Sequence, residues 1–463
     1  MKHKEDIFMK KYLKKTVALA AATALCAGAL GGCGSAKNST ETSSQADTTA
    51  AESSTITTTE AQAGGTNSET ADAESEEGIA QTDQFAGRTL NVTMALSDDE
   101  WKAMNNVVLP EFEKLTGCTV KASQVEASDV EKQLQAMHNA NNMKIDVISQ
   151  DVGNMNGLVN AGLVEDLSDY ADIVPDTAIG KLSEAGVFDG KIYFLPYRPN
   201  AEINYYNTDM FDKYGVKAPT NWDELYDVAK TLKEKDGIGR LCLKLKMDGD
   251  AIELVEFIRE AGGDPLVLND EGCVEAFTFL QKLWPELSEN TLTAGFSTVN
   301  QYLATDEVYY APNWPFTASV VVKDGGKTNI AASKGYEGPA GYVKTLGGEM
   351  LGIPVGSQNK DLAIEYIKYM ESKKVQETLM NENGWISFRS DVYQDVADWQ
   401  KPFVEVTQQA LAAAEPLPHV KYWSDAQQLI NDCAKEITVN QADVKTTLDQ
   451  YATKMQELKE KNQ

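Results

Sequence analysis

Residues 188–232 read FDGKIYFLPYRPNAEINYYNTDMFDKYGVKAPTNWDELYDVAKTL. Gly190-Lys191-x-Tyr193-x-x-Pro196 reads as a strand, Tyr206-Asn207 follows it, and Pro219-Thr220-x-Trp222-Asp223-Glu224-Leu225 starts a helix. That helix opens at Thr220 with Asp223 in the capping position, and Leu225, Val228, Ala229 and Leu232 line one apolar face.

Upstream, RTLNVTMAL (88–96) is an alternating β-prone run. Ser97 to Glu100 forms a capping box, the helix it opens closes at Gly117, and CTVKASQV (118–125) is the next strand. Ser128 to Glu131 repeats the capping pattern before a second helix, and KIDVISQD (144–151) is a short buried strand. Strand, helix, strand, helix, strand predicts a parallel α/β sheet. Beyond residue 232 more helices and strands alternate, and no period of 20 to 50 residues repeats, which excludes a solenoid.

With 463 residues the chain exceeds the usual single domain, so two lobes plus appendages are expected. Its 42 Lys and Arg against 70 Asp and Glu give a net charge of −28. That balance disfavours nucleic acid as a partner and broad contact with anionic lipid headgroups. Cys26, Cys33, Cys118, Cys242, Cys273 and Cys433 include no C-x-x-C, so no metal cluster is expected. The last four read as small buried hydrophobes, with one disulfide as the alternative.

MKKYLKKTVALAAATALCAGALGG begins at Met9, which we take as the start of translation, with four lysines and then an apolar run from Val17 to Leu30. The run is too short to span a membrane and reads as a secretory signal peptide over residues 1–32. Leu30-Gly31-Gly32-Cys33 resembles the bacterial lipobox, which implies a diacylglycerol on Cys33; an ordinary signal with a chance cysteine is the alternative. From Gly34 to Phe85 the chain holds ten acids, one lysine and almost no large apolar residue. Residues 33–85 therefore read as a lipid-anchored, disordered acidic tether.

Four stretches, taken together and in order, resemble the bacterial extracellular solute-binding proteins of carbohydrate ABC importers, the group that includes maltose-binding protein. They are KIDVISQDVGNMNGLVNAGLVEDLSDY (144–170), the segment 188–232, EVYYAPNWPFTAS (307–319), and GGEMLGIPVGSQNKDLAIEYIKYMES (347–372) with NGWISFRSDVY (383–393) after it. AAAEPLPHVKYWSDAQQLINDCAKEI (412–437) adds a looser match. The resemblance implies a two-lobed α/β periplasmic-binding-protein fold with crossovers near 198–204, 342–347 and 386–392. Lobe 1 would be 86–197 plus 345–388 and lobe 2 would be 198–344 plus 389–463. It implies a monomer that binds a sugar in the cleft, closes by hinge rotation and delivers the sugar to importer permease subunits. A sensor coupled to a membrane kinase, and a cell-surface glycosidase or lyase, are the alternatives.

A sugar site needs flat aromatic platforms and directional polar groups. Trp314, stiffened by two prolines, and Asn313 are placed there, with core packing as the alternative for the tryptophan. Trp385, Tyr422 and Trp423 sit at helix boundaries, where ligand contact and packing compete. Asp151 ends a strand where parallel sheets put ligand-facing residues. Tyr197, Arg198 and Asn200 occupy the first crossover, and Glu349 and Arg389 lie near the other two. Asn200 stands where the family often carries an acid. Arg198 either reads an acidic sugar or pairs with Glu202. Trp222 reads as structural, and Trp101 is open between packing and the site. No cofactor, metal site or catalytic set is expected: the sequence has no H-E-x-x-H and no G-x-S-x-G, and Val321 replaces the glycine that a phosphate loop at Gly326-Lys327-Thr328 requires.

Overall fold

The computed structural model of the chain describes residues 78–462, apart from Ser97 and residues 248–250. The expected signal peptide, Cys33 and the expected tether as far as residue 77 lie outside the described residues. The packed chain begins ahead of residue 86. Thr82 N donates to Leu115 O at 2.8 Å, Ile79 packs on the first core and Phe85 is buried in it. Phe85 supplies the apolar surface that holds these last residues of the acidic stretch down.

The strands are β1 (Thr89–Met94), β2 (Thr119–Gln124), β3 (Val147–Asp151), β4 (Val187–Phe188), β5 (Lys191–Ile192), β6 (Leu195–Asn200), β7 (Ile203–Asn207), β8 (Tyr310–Asn313), β9 (Ile330–Ser333), β10 (Lys344–Gly352) and β11 (Ala414–Pro416). β1 pairs in parallel with β2 and β3, the arrangement expected for strands joined through helices. β10 then runs antiparallel between β3 and β6. β7, β8 and β9 form a second, antiparallel sheet. The molecule is a two-lobed α/β protein, with the six-stranded sheet in one lobe and the three-stranded sheet in the other, and β4 and β5 pair as a separate two-stranded sheet.

Two passages between sheets are explicit. β6 ends at Asn200 in the first sheet and β7 starts at Ile203 in the second, and β9 in the second is followed by β10 in the first. β11 returns to the first sheet, pairing in parallel with Lys344 to Leu346, so the stretch after residue 389 is not confined to lobe 2. One apolar cluster joins the lobes: Ile148, Met350 and Phe388 pack in the same group as Ile203, Tyr205 and Phe403.

Local signals shift by a residue or two. The helix Trp222–Asp236 is capped by Asn221, whose side chain accepts from Glu224 N, while Thr220 donates through N and Oγ1 to Glu224. The helix Ala127–Asn139 starts before Ser128, with Glu126 at its N-cap and no side-chain cap. Cys118, Cys242, Cys273 and Cys433 are all buried and free, so no disulfide joins them.

The helix Ile252–Glu260 buries Glu253, Glu256 and Glu260, spaced to share one face. Glu256 forms an ion pair with Lys344 and accepts from Thr345 N at 2.8 Å, so this face grips the start of β10. Glu260 accepts from Trp222 Nε1 at 2.9 Å, which gives the sequence-structural Trp222 its polar partner. Burial, opposed by Lys344, pushes the Glu260 carboxyl up to about 8 from 4.5. Folding therefore takes up a proton there. Its contribution is complete below pH 4.5 and is lost as the pH rises through 8. In Glu260→Gln the fall in Tm from pH 5 to pH 8 should shrink by about 2–5 °C relative to the parent. Parallel Tm curves for the two proteins would refute this assignment.

Candidate functional site

β10 is the spine of the site. Its register places Glu349 opposite Asp151 of β3 on one side and Arg198 of β6 on the other, so three predicted polar residues are direct cross-strand neighbours. Arg198 does not pair with Glu202. Its guanidinium donates to Glu100 at 2.6 Å and to Glu349 at 2.9 Å, and lies 4.3 Å from the Trp385 ring centre. Trp385 Nε1 donates to Glu100 at 2.7 Å, and Tyr197 packs edge-on against the indole with centroids 5.6 Å apart. Burial opposes the charge on Arg198, yet Glu349 and Glu100 hold its pKa above the ordinary value. Burial raises the Glu349 pKa, with Arg198 working against the rise.

Trp314 reaches this cluster from lobe 2. Gly347 lies two residues along β10 from Glu349, and a Cβ on it would come 2.8 Å from Trp314 Cη2. Gly348 is also required, because φ is +110° and a Cβ would meet Arg198 O at 2.1 Å. Tyr205 Oη donates to Trp314 O at 3.1 Å, and Trp314 N donates to Asn313 Oδ1 at 3.0 Å. The Lys244 ammonium sits 5.3 Å from the indole centre and pairs with Glu202 and, at 3.7 Å, with Glu253. The half-buried ring is thus fixed through its backbone, one edge and a cation.

The other predicted residues divide. Asn200, half-buried, pairs with Gly347 in the same register. Asn313 is fully buried and gives its amide hydrogens to Phe296 O and Asn300 Oδ1, so it positions Trp314 and has no atom turned outward for a ligand. Tyr197, 1% exposed, supports Trp385 from below. Arg389 is buried, bidentate to Asp391 and bonded to Glu371 O. Tyr422 and Trp423 pack in the lobe 2 core, and Trp423 Nε1 has no hydrogen-bond partner among the described residues. Trp101 Nε1 donates to Gln124 at 2.7 Å, beside the first core. Glu100 and Lys244 are the site residues that sequence reasoning missed. Glu100 lies far along the chain from Arg198 and Trp385 and was marked only by the start of a helix, while Lys244 is near Glu253 in sequence but far from Glu202 and Trp314.

Comparison with known proteins bears on the family and the fold. A probable ABC transporter-binding protein of Deinococcus radiodurans is 25% identical over 309 residues, 61% of this chain and 72% of that one. The diacetylchitobiose binding protein DasA of Streptomyces coelicolor is 26% identical over 344 residues, 68% and 76% of the two chains. Maltose-bound MalE3 of T. maritima superposes with a TM-score of 0.69 at 22% identity, covering 80% of this chain and all of that one (100%), which shows the fold. The model of the bacterial extracellular solute-binding proteins matches residues 108–405, and the chain belongs to that family.

Proposed function

We propose that this protein captures a carbohydrate outside the cytoplasm and delivers it to a membrane ABC importer, held at the membrane by a lipid on Cys33. The observation that carries the reading is Trp314, a half-buried indole packed on Gly347, two residues along β10 from Glu349, whose cross-strand neighbour is Asp151. Such a ring offers a flat surface to sugar C–H faces, and the carboxylates accept from hydroxyls. Similar proteins named for diacetylchitobiose and for an ABC transporter, and one solved with maltose, support the sugar and the importer. Leu30-Gly31-Gly32-Cys33 supports the anchor. Both Glu100 and Glu349 are tied to Arg198, which favours holding a sugar over using the pair as the acid and base of a glycosidase.

Thermal unfolding with maltose, N,N′-diacetylchitobiose, mannitol, a tripeptide mixture and spermidine tests the reading. At a hundredfold excess over Kd the true ligand class adds about 2.7 kcal/mol, so one of the carbohydrates should raise the midpoint by several degrees. A midpoint moved by peptide or polyamine and by no carbohydrate would overturn the sugar assignment.

A further inference from the structure

Three stretches of chain pass between the lobes, and one helix meets all of them. Besides β6 to β7 and β9 to β10, the strand β11 of the first sheet is followed by the helix Trp423–Thr438, whose Trp423, Ala426 and Ile430 pack in the lobe 2 core. The helix Ile252–Glu260 belongs to the same core through Leu254, Val255, Phe257 and Ile258. Its charged side chains turn to the passages. Glu253 pairs at 3.7 Å with Lys244, which also pairs with Glu202 in the link between β6 and β7. Glu256 pairs with Lys344 and accepts from Thr345 N, at the start of β10. Arg259 donates to Pro416 O at 2.8 Å and to Glu415 O at 3.4 Å, at the end of β11.

The three contacts follow one another along the helix at i, i+3 spacing, so a rigid rod presents them in sequence. The strands they hold are also tied to each other, because β10 pairs with β11 at Lys344 to Leu346 and with β6 from Gly347 onward. Hinge closure concentrates backbone rotation in the few residues held to neither body. On the lobe 2 side every passage is fixed to this helix, by ion pairs that are strongly resisted from breaking once buried and by the Arg259 bonds. The lobe therefore turns with the helix, and rotation is left to residues beyond its contacts, which on β10 begin with Leu346 and the pair Gly347-Gly348. Contacts that keep the three passages in register favour one interlobe arrangement, and measured affinity scales with the fraction of protein that can adopt the binding-competent one.

We propose that the helix Ile252–Glu260 is the clamp of the interlobe hinge, with Glu256 and Arg259 as positioning residues that set ligand affinity through closure. The proposal rests on the reading that a solute bound between the lobes closes them, and not on that solute being a sugar.

Arg259→Met is the main test, since it releases β11 and leaves the buried ion pairs in place, and Arg259→Lys keeps the charge. Ile258→Val trims the same helix on its core side and is the control for destabilisation. The full proteins are titrated calorimetrically with whichever of maltose, N,N′-diacetylchitobiose and mannitol raises the midpoint. Arg259→Met should weaken binding about tenfold, within the range by which residues remote from a ligand shift coupling, and Arg259→Lys by less. Ile258→Val should stay within about twofold of the parent. Stopped-flow tryptophan fluorescence should place the loss in dissociation. If spermidine or a tripeptide is the ligand instead, the sugar reading falls and the same comparison is made with that ligand. Amide hydrogen exchange of the ligand-free proteins reads the clamp directly: at residues 343–346 and 414–417 it should rise about tenfold in Arg259→Met and not in Ile258→Val. Equal affinity of Arg259→Met and the parent overturns the clamp, as does a loss in Ile258→Val as large as in Arg259→Met. Exchange that stays at the parent's rate in both segments overturns it without any ligand.

Discussion

Lys344→Met is expected to cost about 3–5 kcal/mol of stability, the scale seen when one partner of a buried ion pair is removed. Lys344 is 3% exposed and forms an ion pair with Glu256. Burial works against its charge, but Glu256, Tyr342 and Glu260 keep its pKa above the ordinary lysine value, so it stays charged. Without it, nothing but the bond from Thr345 N offsets the burial of the Glu256 carboxyl, and Glu260 loses the cation that opposes its burial. The methionine fills the volume of the stem, which separates loss of charge from loss of packing. Lys344→Met/Glu256→Leu, which removes both charges, should recover most of the loss, because a buried pair replaced by apolar groups is close to neutral. Urea midpoints read both. A single variant within 1 kcal/mol of the parent, or a double variant no better than the single, would show that the acidic helix face does not depend on this lysine.

What the sequence made legible was mostly local. Alternation in 88–96 and 118–125 and the buried run at 147–151 are visible within a few residues, and they became the parallel trio β1, β2 and β3. The antiparallel insertion of β10 was not legible, because its pairing with β3 joins residues about two hundred positions apart and depends on no local pattern.

Side-chain partners were harder still. Arg198 has Glu202 four residues away in sequence, but the chain leaves β6 at Asn200, so the two acids it does meet come from other elements and Glu202 turns to Lys244. Asn313 carries the donor and acceptor a sugar needs, yet a fully buried amide must satisfy both inside the protein, and it does so on Asn300, Phe296 and Trp314. Two signals were present and unused. Arg389 has its bidentate partner Asp391 two residues on. Glu253, Glu256 and Glu260 repeat at helical spacing in a helix that is otherwise apolar except for Arg259, which is the mark of a buried charged face seeking lysines.

Trp314→Ala should weaken binding of the responding carbohydrate by at least about a hundredfold, the range of a tryptophan at the centre of an interface. The argument turns on preorganisation. Trp314 is fixed by Tyr205 and Asn313 through its backbone and by Gly347 and Lys244 around its ring, so a sugar meets a platform whose ordering has already occurred on folding. Alanine removes the stacking surface and uncovers Lys244, whose ammonium then faces the space the sugar would fill. Because the ring is only half-buried and its backbone bonds are untouched, the cost to folding should be modest, with urea midpoint and far-UV spectrum close to the parent. Trp314→Phe keeps a smaller platform and should recover part of the affinity. Calorimetric titration of the parent and both variants decides it. Equal affinity in all three would remove Trp314 from the site, and a collapsed urea midpoint in the alanine variant would make the ring a core element instead of a platform.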